Sequence, residues 1–133
     1  TLCGGHVSPI LAAAKARGAK AIPLAVSGPF HSPLMEEAAA AFAEVLAGVT
    51  LAAPALPVVP NVTAEPTTDP ALLRAALERQ ITGAVQWVRS VYAMRQMGIS
   101  RFVEIGPGNV LCGLIQRITP ESAAVPVNEL LAT

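Results

Sequence analysis

Short apolar runs alternate with longer helical patterns along this chain, and proline and glycine punctuate them at regular intervals. Such alternation predicts an α/β fold, a mostly parallel sheet with flanking helices. Two further observations support that class. A hydroxyl or carboxylate stands directly before proline at Ser8-Pro9, Ser32-Pro33 and Asp69-Pro70, the pattern of a helix cap followed by proline at the first helical position. Glycine closes the pattern at Gly18, Gly48 and Gly98, where helices commonly stop.

Taken in order, residues 1–5 read as the end of a strand and residues 9–17 as a helix stopped by Gly18. Residues 20–26 read as a strand, with Pro23 placing part of it at an edge or bulge. The second helix starts at Ser32-Pro33, carries Glu36 and Glu37 where the dipole favours acids, and runs to Gly48. Its apolar face is expected to be Leu34, Ala38, Ala41, Phe42, Val45 and Leu46. Residues 57–62 read as a short strand. A third helix follows Asp69, with Leu72, Leu73, Ala76 and Leu77 inward. Residues 87–97 form a fourth helix, 101–105 a strand, Gly106-Pro107-Gly108 a tight turn, 109–117 a fifth helix and 123–127 a last strand. The first unit, residues 1–28, ends at Gly28-Pro29 and is expected to form a separate small subdomain, with residues 29–133 as the main body.

Composition narrows the function classes. The 133 residues carry nine basic and nine acidic side chains, so the formal charge is zero and nothing attracts nucleic acid or an anionic membrane. Charged residues make up 14% and hydrophobic residues 53%, whereas about 25% charge is usual for a soluble domain. That is too little charge to cover the surface of so small a body, so part of it is expected to pack against another subunit, domain or segment. Prolines break the longest uncharged stretches well short of the ~20 residues of a spanning helix, and no basic-then-apolar signal segment opens the chain. Cys3 and Cys112 are far apart with no metal-ligand spacing, and read as buried thiols of a reducing cytoplasm. Neither a metal nor a cofactor is expected.

His6 and His31 are the only histidines. His6, after Gly4-Gly5, reads as structural or surface. His31, between Phe30 and Ser32, falls between a strand and a helix, where α/β folds place ligands and a histidine is well placed as a general base. No G-x-S-x-G elbow supplies a nucleophile for it, and Asp69, the only aspartate, reads as a helix cap. Gly106-Pro107-Gly108 lacks the spacing of a phosphate loop and reads as a turn. The residues by themselves give a base without its nucleophile.

The segment Val26-Ser27-Gly28-Pro29-Phe30-His31-Ser32-Pro33-Leu34-Met35 resembles the histidine segment of malonyl-CoA:acyl-carrier-protein transacylases. The likeness continues in order through Pro57–Val62, through Arg79-Gln80 with Val85-Gln86-Trp87, and through Glu104-Ile105-Gly106-Pro107-Gly108-Asn109-Val110-Leu111. It spans the chain but only the C-terminal part of the family's architecture. The resemblance implies part of an α/β-hydrolase-like acyltransferase core, preceded by the end of a small ferredoxin-like α+β subdomain. It also implies malonyl transfer from coenzyme A, through a serine acyl-enzyme, to the pantetheine thiol of acyl carrier protein in fatty acid biosynthesis.

By that resemblance His31 is the base and the main-chain carbonyl of Gln80 orients it, so no triad aspartate is required. Phe30 crowds an α-methyl branch on the acyl group and so favours malonyl over methylmalonyl. Asn61 places an amide near the pocket, or serves simply as a turn residue. The family's serine elbow, its glutamine-containing loop and the arginine that pairs the malonyl carboxylate have no counterpart here. The chain alone is therefore expected to be inactive, and its partners are malonyl-CoA, acyl carrier protein and the N-terminal half of the same enzyme. Two other readings stay open: an acyltransferase domain of a polyketide or fatty-acid multienzyme, and a non-catalytic remnant that binds a partner. Lys15, Arg17 and Lys20 either meet the acidic carrier protein or are ordinary helix-end charges.

Overall fold

A computed structural model describes residues 7–23 and 27–131. Its centre is a strand–helix–strand unit: β1 (Arg101–Glu104), α5 (Val110–Ile118) and β2 (Ala123–Pro126). The two strands pair in parallel, with Arg101 opposite Ala123 and Glu104 opposite Pro126. α4 (Trp87–Gln96) lies beside α5, and together they cover one face of the pair. Val91, Phe102, Cys112, Ile115 and Ala124 form the buried cluster there, with Trp87, Met94 and Ile118 packed against it. Among the described residues the other face is largely open: alternation turns Val103 away from the cluster, and Ile105 just beyond is 84% exposed. Parallel sheets are ordinarily covered on both faces.

Around this unit stand α1 (Val7–Ala16), a 3-10 turn (Pro33–Met35) leading into α2 (Glu36–Ala47), α3 (Pro70–Gln80) and α6 (Val127–Leu131). The fold is thus α/β with a small parallel sheet and flanking helices. Asp69 caps α3 as expected, its Oδ1 accepting the Ala71 N–H at 2.8 Å. No helix among the described residues is long and apolar enough to cross a membrane. Residues 1–6, including Cys3 and His6, and residues 24–26 lie outside the described residues.

Several expectations are corrected. In place of a strand over residues 57–62 there is one antiparallel bridge, with Val58 and Thr67 exchanging N–H···O bonds of 3.0 and 2.9 Å. Pro60, two residues on from Val58 and so facing the same partner, has no N–H to donate, so the ladder cannot extend past it. Residues 20–23 form no regular structure. The first helix begins at Val7, before Ser8-Pro9. Of the face expected on α2, Leu46 is buried and Phe42 partly covered, whereas Leu34, Ala38, Ala41 and Val45 face solvent, Val45 at 69%. Leu72 on α3 is likewise exposed. The last strand ends at Pro126, again for want of an N–H, and α6 follows where the strand pattern was expected to close the chain.

Candidate functional site

The site is built on the turn before α2. Gly28 leaves room for the ring of Phe30, since a Cβ at Gly28 would stand 3.3 Å from the ring's edge. Phe30 is 50% exposed, so it is not a core residue of the described chain. His31 follows with φ 59, in the left-handed region that few non-glycine residues occupy. Strain of this kind persists only where the surroundings hold it, and it gathers at functional sites. The His31 ring reaches the C-terminal end of α3, where its Nδ1 lies 2.9 Å from the main-chain oxygen of Gln80.

A carbonyl oxygen only accepts, so Nδ1 carries a proton, and in the neutral ring the lone pair is on Nε2. The imidazole is exposed, with its basic nitrogen available to a group outside the described chain. Residue 31 and residue 80 are 49 positions apart in sequence, yet the fold brings this predicted pair together.

Beside Gln80 lies an apolar cleft of about 380 Å³, lined among others by Pro54, Val58, Asn61, Leu73, Leu77 and Gln80. Asn61 is therefore at the wall of a cavity. Its main-chain oxygen also accepts the Gln86 N–H at 2.8 Å, which fastens this loop to the start of α4.

Three residues outside the predicted site shape it or its frame. Ser32 occupies the position before the 3-10 turn, yet its hydroxyl makes no cap; it donates instead to the Pro29 oxygen at 2.6 Å. Arg74 donates to the main-chain oxygens of Leu46, in the last turn of α2, and of Val49, just past its end. α3 is thereby tied to the C-terminal end of α2 by Arg74 and to the turn before α2 by the Gln80–His31 bond. Glu104 accepts the Leu111 N–H at 3.2 Å and the Cys112 N–H at 2.9 Å.

These two amides are the donors an anion would need at the α5 N-terminus, and a carboxylate of the chain already holds them. Gly106-Pro107-Gly108 is accordingly the turn that carries Glu104 back to its own helix, with Gly106 at φ 145 and Gly108 at φ 91. The Cys112 N–H, and then the Cys112 thiol and Leu111 N–H, favour the ionised Glu104 and lower its pKa despite partial desolvation. Burial pushes the Cys112 thiol upward, and the neighbouring Glu104 adds to the effect. The family resemblance included Glu104, but nothing local marked its capping role, because its reach to positions seven and eight ahead is not a capping-box spacing. Among the described residues no group of His, Cys, Asp and Glu is arranged to hold a metal ion.

With this geometry in place, comparison with known proteins finds relatives over most of the chain. No protein-family model matches the sequence. The malonyl CoA-acyl carrier protein transacylase of Salmonella typhimurium is 47% identical over 119 residues, which are 89% of this chain and 38% of that protein. The crystal structure of malonyl-CoA:acyl carrier protein transacylase from Xanthomonas oryzae matches with a TM-score of 0.86 at 45% identity, over 91% of this chain and 39% of that one. A malonyl-transacylase in complex with a type II polyketide acyl-carrier protein matches with a TM-score of 0.85 at 42% identity, over 92% of this chain and 40% of that one. The chain is homologous to the malonyl CoA-acyl carrier protein transacylases and spans about two fifths of their length, consistent with a C-terminal portion.

Proposed function

We propose that this chain supplies the histidine base of a malonyl-CoA:acyl-carrier-protein transacylase. The observation that carries the reading is the bond between Nδ1 of His31 and the Gln80 oxygen, which leaves Nε2 basic. In the reaction a serine held by the rest of the enzyme gives its proton to Nε2 and attacks the malonyl thioester. His31 returns that proton to the departing coenzyme A thiol. In the second half the pantetheine thiol of acyl carrier protein gives its proton to Nε2 and attacks the serine ester, and the imidazolium reprotonates the serine. The Gln80 carbonyl fixes the tautomer in both halves without adding a charge. The homologue seen bound to an acyl-carrier protein supports a carrier protein as the acceptor.

Phe30 borders the acyl site and disfavours an α-methyl branch, and Asn61 contributes an amide at the neighbouring cleft. Residues 29–133 belong to an α/β-hydrolase-like core, and residues 1–28 to the end of a ferredoxin-like subdomain. The uncovered sheet face and the exposed side of α2 are where the serine-bearing part of the enzyme packs. Without that part the chain has no nucleophile and no partner for the malonyl carboxylate, and it is inactive alone. In the complete enzyme His31→Ala is expected to lower malonyl transfer to carrier protein by roughly 10²-fold or more, the scale for losing a general base. Near-normal transfer by that variant rules out His31 as the base.

A further inference from the structure

We propose that Ser32 is a positioning residue for His31, an inference that rests on the reading of His31 as the base. Serine before proline at the start of a helix ordinarily turns its hydroxyl forward to cap the first amides. Here the two polar groups of Ser32 divide the work. Its main-chain oxygen takes the Met35 N–H at 3.0 Å and so begins the 3-10 turn. Its hydroxyl points backward and donates to the Pro29 oxygen at 2.6 Å. The bond closes a loop from Pro29 to Ser32 that contains only Phe30 and His31.

Ser32 is 6% exposed, so water does not compete well for that hydroxyl. The closed loop is what holds His31 at φ 59, a conformation that a free chain seldom visits. With the backbone so held, the imidazole is delivered to the Gln80 oxygen without searching other rotamers. Removing the hydroxyl leaves the base present and unaltered in chemistry, but frees its backbone. A base displaced by about 1 Å loses on the order of 10²-fold in rate where alignment matters fully.

The test uses the complete enzyme with Ser32→Ala, Ser32→Thr and His31→Ala. Thr keeps the hydroxyl, and a β-branched residue suits the extended backbone of Ser32 at φ −140, ψ 162. The expected result is a fall in kcat of roughly 10- to 100-fold in Ser32→Ala with KM for malonyl-CoA changed little, and substantial recovery in Ser32→Thr. In enzyme labelled with ¹⁵N-histidine, the His31 ring identified by its loss in His31→Ala should show a protonated Nδ1 in the wild type and a mixture of tautomers in Ser32→Ala. Wild-type kcat with an unchanged tautomer in Ser32→Ala overturns the role of Ser32 and leaves His31 standing. Full activity in His31→Ala overturns the reading of the base itself.

Discussion

At the scale of single residues, His31 shows how a side chain's chemistry and its backbone are selected together. Its ring is fixed by Gln80 while its main chain sits at φ 59. A substitution there changes both, because alanine tolerates the left-handed region poorly whereas asparagine adopts it more readily. Phe30, half exposed beside it, is a second case. If its ring walls the acyl site, Phe30→Ser raises kcat/KM for methylmalonyl-CoA relative to malonyl-CoA by roughly 10-fold, since a methyl-sized clash is worth about 1–3 kcal/mol. Competition between the two thioesters measures this, and an unchanged ratio with a lower melting temperature would reduce Phe30 to packing.

Glu104 yields a pH prediction. Its folded pKa lies below the ordinary 4.5, so its contribution is fully present above that value and is lost as pH falls through the folded value. Glu104→Gln is therefore expected to melt below the wild type at neutral pH, with the gap closing as pH falls through the lowered pKa; a gap independent of pH would contradict the cap.

At the scale of elements, the helices were the most legible part of the sequence. Three are marked by local chemistry: proline at the start of α3, acids in the first turn of α2, and Gly98 at φ 86 two residues past the end of α4; α6 carried no such mark. The strands were read less well, because pairing is decided by distant partners and by which N–H groups exist. Pro60 and Pro126 each removed a donor, shortening one expected strand to a bridge and another to four residues. His31 was visible from its position and its neighbours, but Gln80 was reached only through family resemblance, for nothing local in its sequence marks a carbonyl as a ligand.

Arg74 was not foreseen, since the carbonyls it binds lie 28 and 25 residues earlier. Arg74→Met keeps the aliphatic stem while removing the donors. It is expected to cost about 1–2 kcal/mol, the lower range for charged hydrogen bonds that are partly open to water. Thermal or urea unfolding reads this directly, and a loss below about 0.3 kcal/mol would mean the α2–α3 clamp does not bear on stability.

At the scale of the whole molecule, the low charge read from the sequence has its counterpart in surfaces that the described chain leaves bare. Val103 on the sheet and Ile105 just beyond it, Leu34 in the 3-10 turn and Val45 on α2 are exposed apolar groups at places that ordinarily bury them. Most of the expected apolar face of α2 is left open, and the proposed function places the serine-bearing part of the enzyme against it. The 133-residue chain made alone is accordingly expected to self-associate and to transfer no malonyl group; sedimentation as a well-folded monomer would count against the missing contact.

The central claim, that Nε2 of His31 moves the protons of malonyl transfer, is tested most directly by chemical rescue in the complete enzyme. His31→Gly accepts the left-handed backbone without strain and leaves a space the size of the lost ring. The rate of carrier-protein malonylation by this variant should fall by roughly 10²-fold or more. Added imidazole should restore part of it in proportion to the free base present. Transfer near the wild-type rate without imidazole would contradict the account.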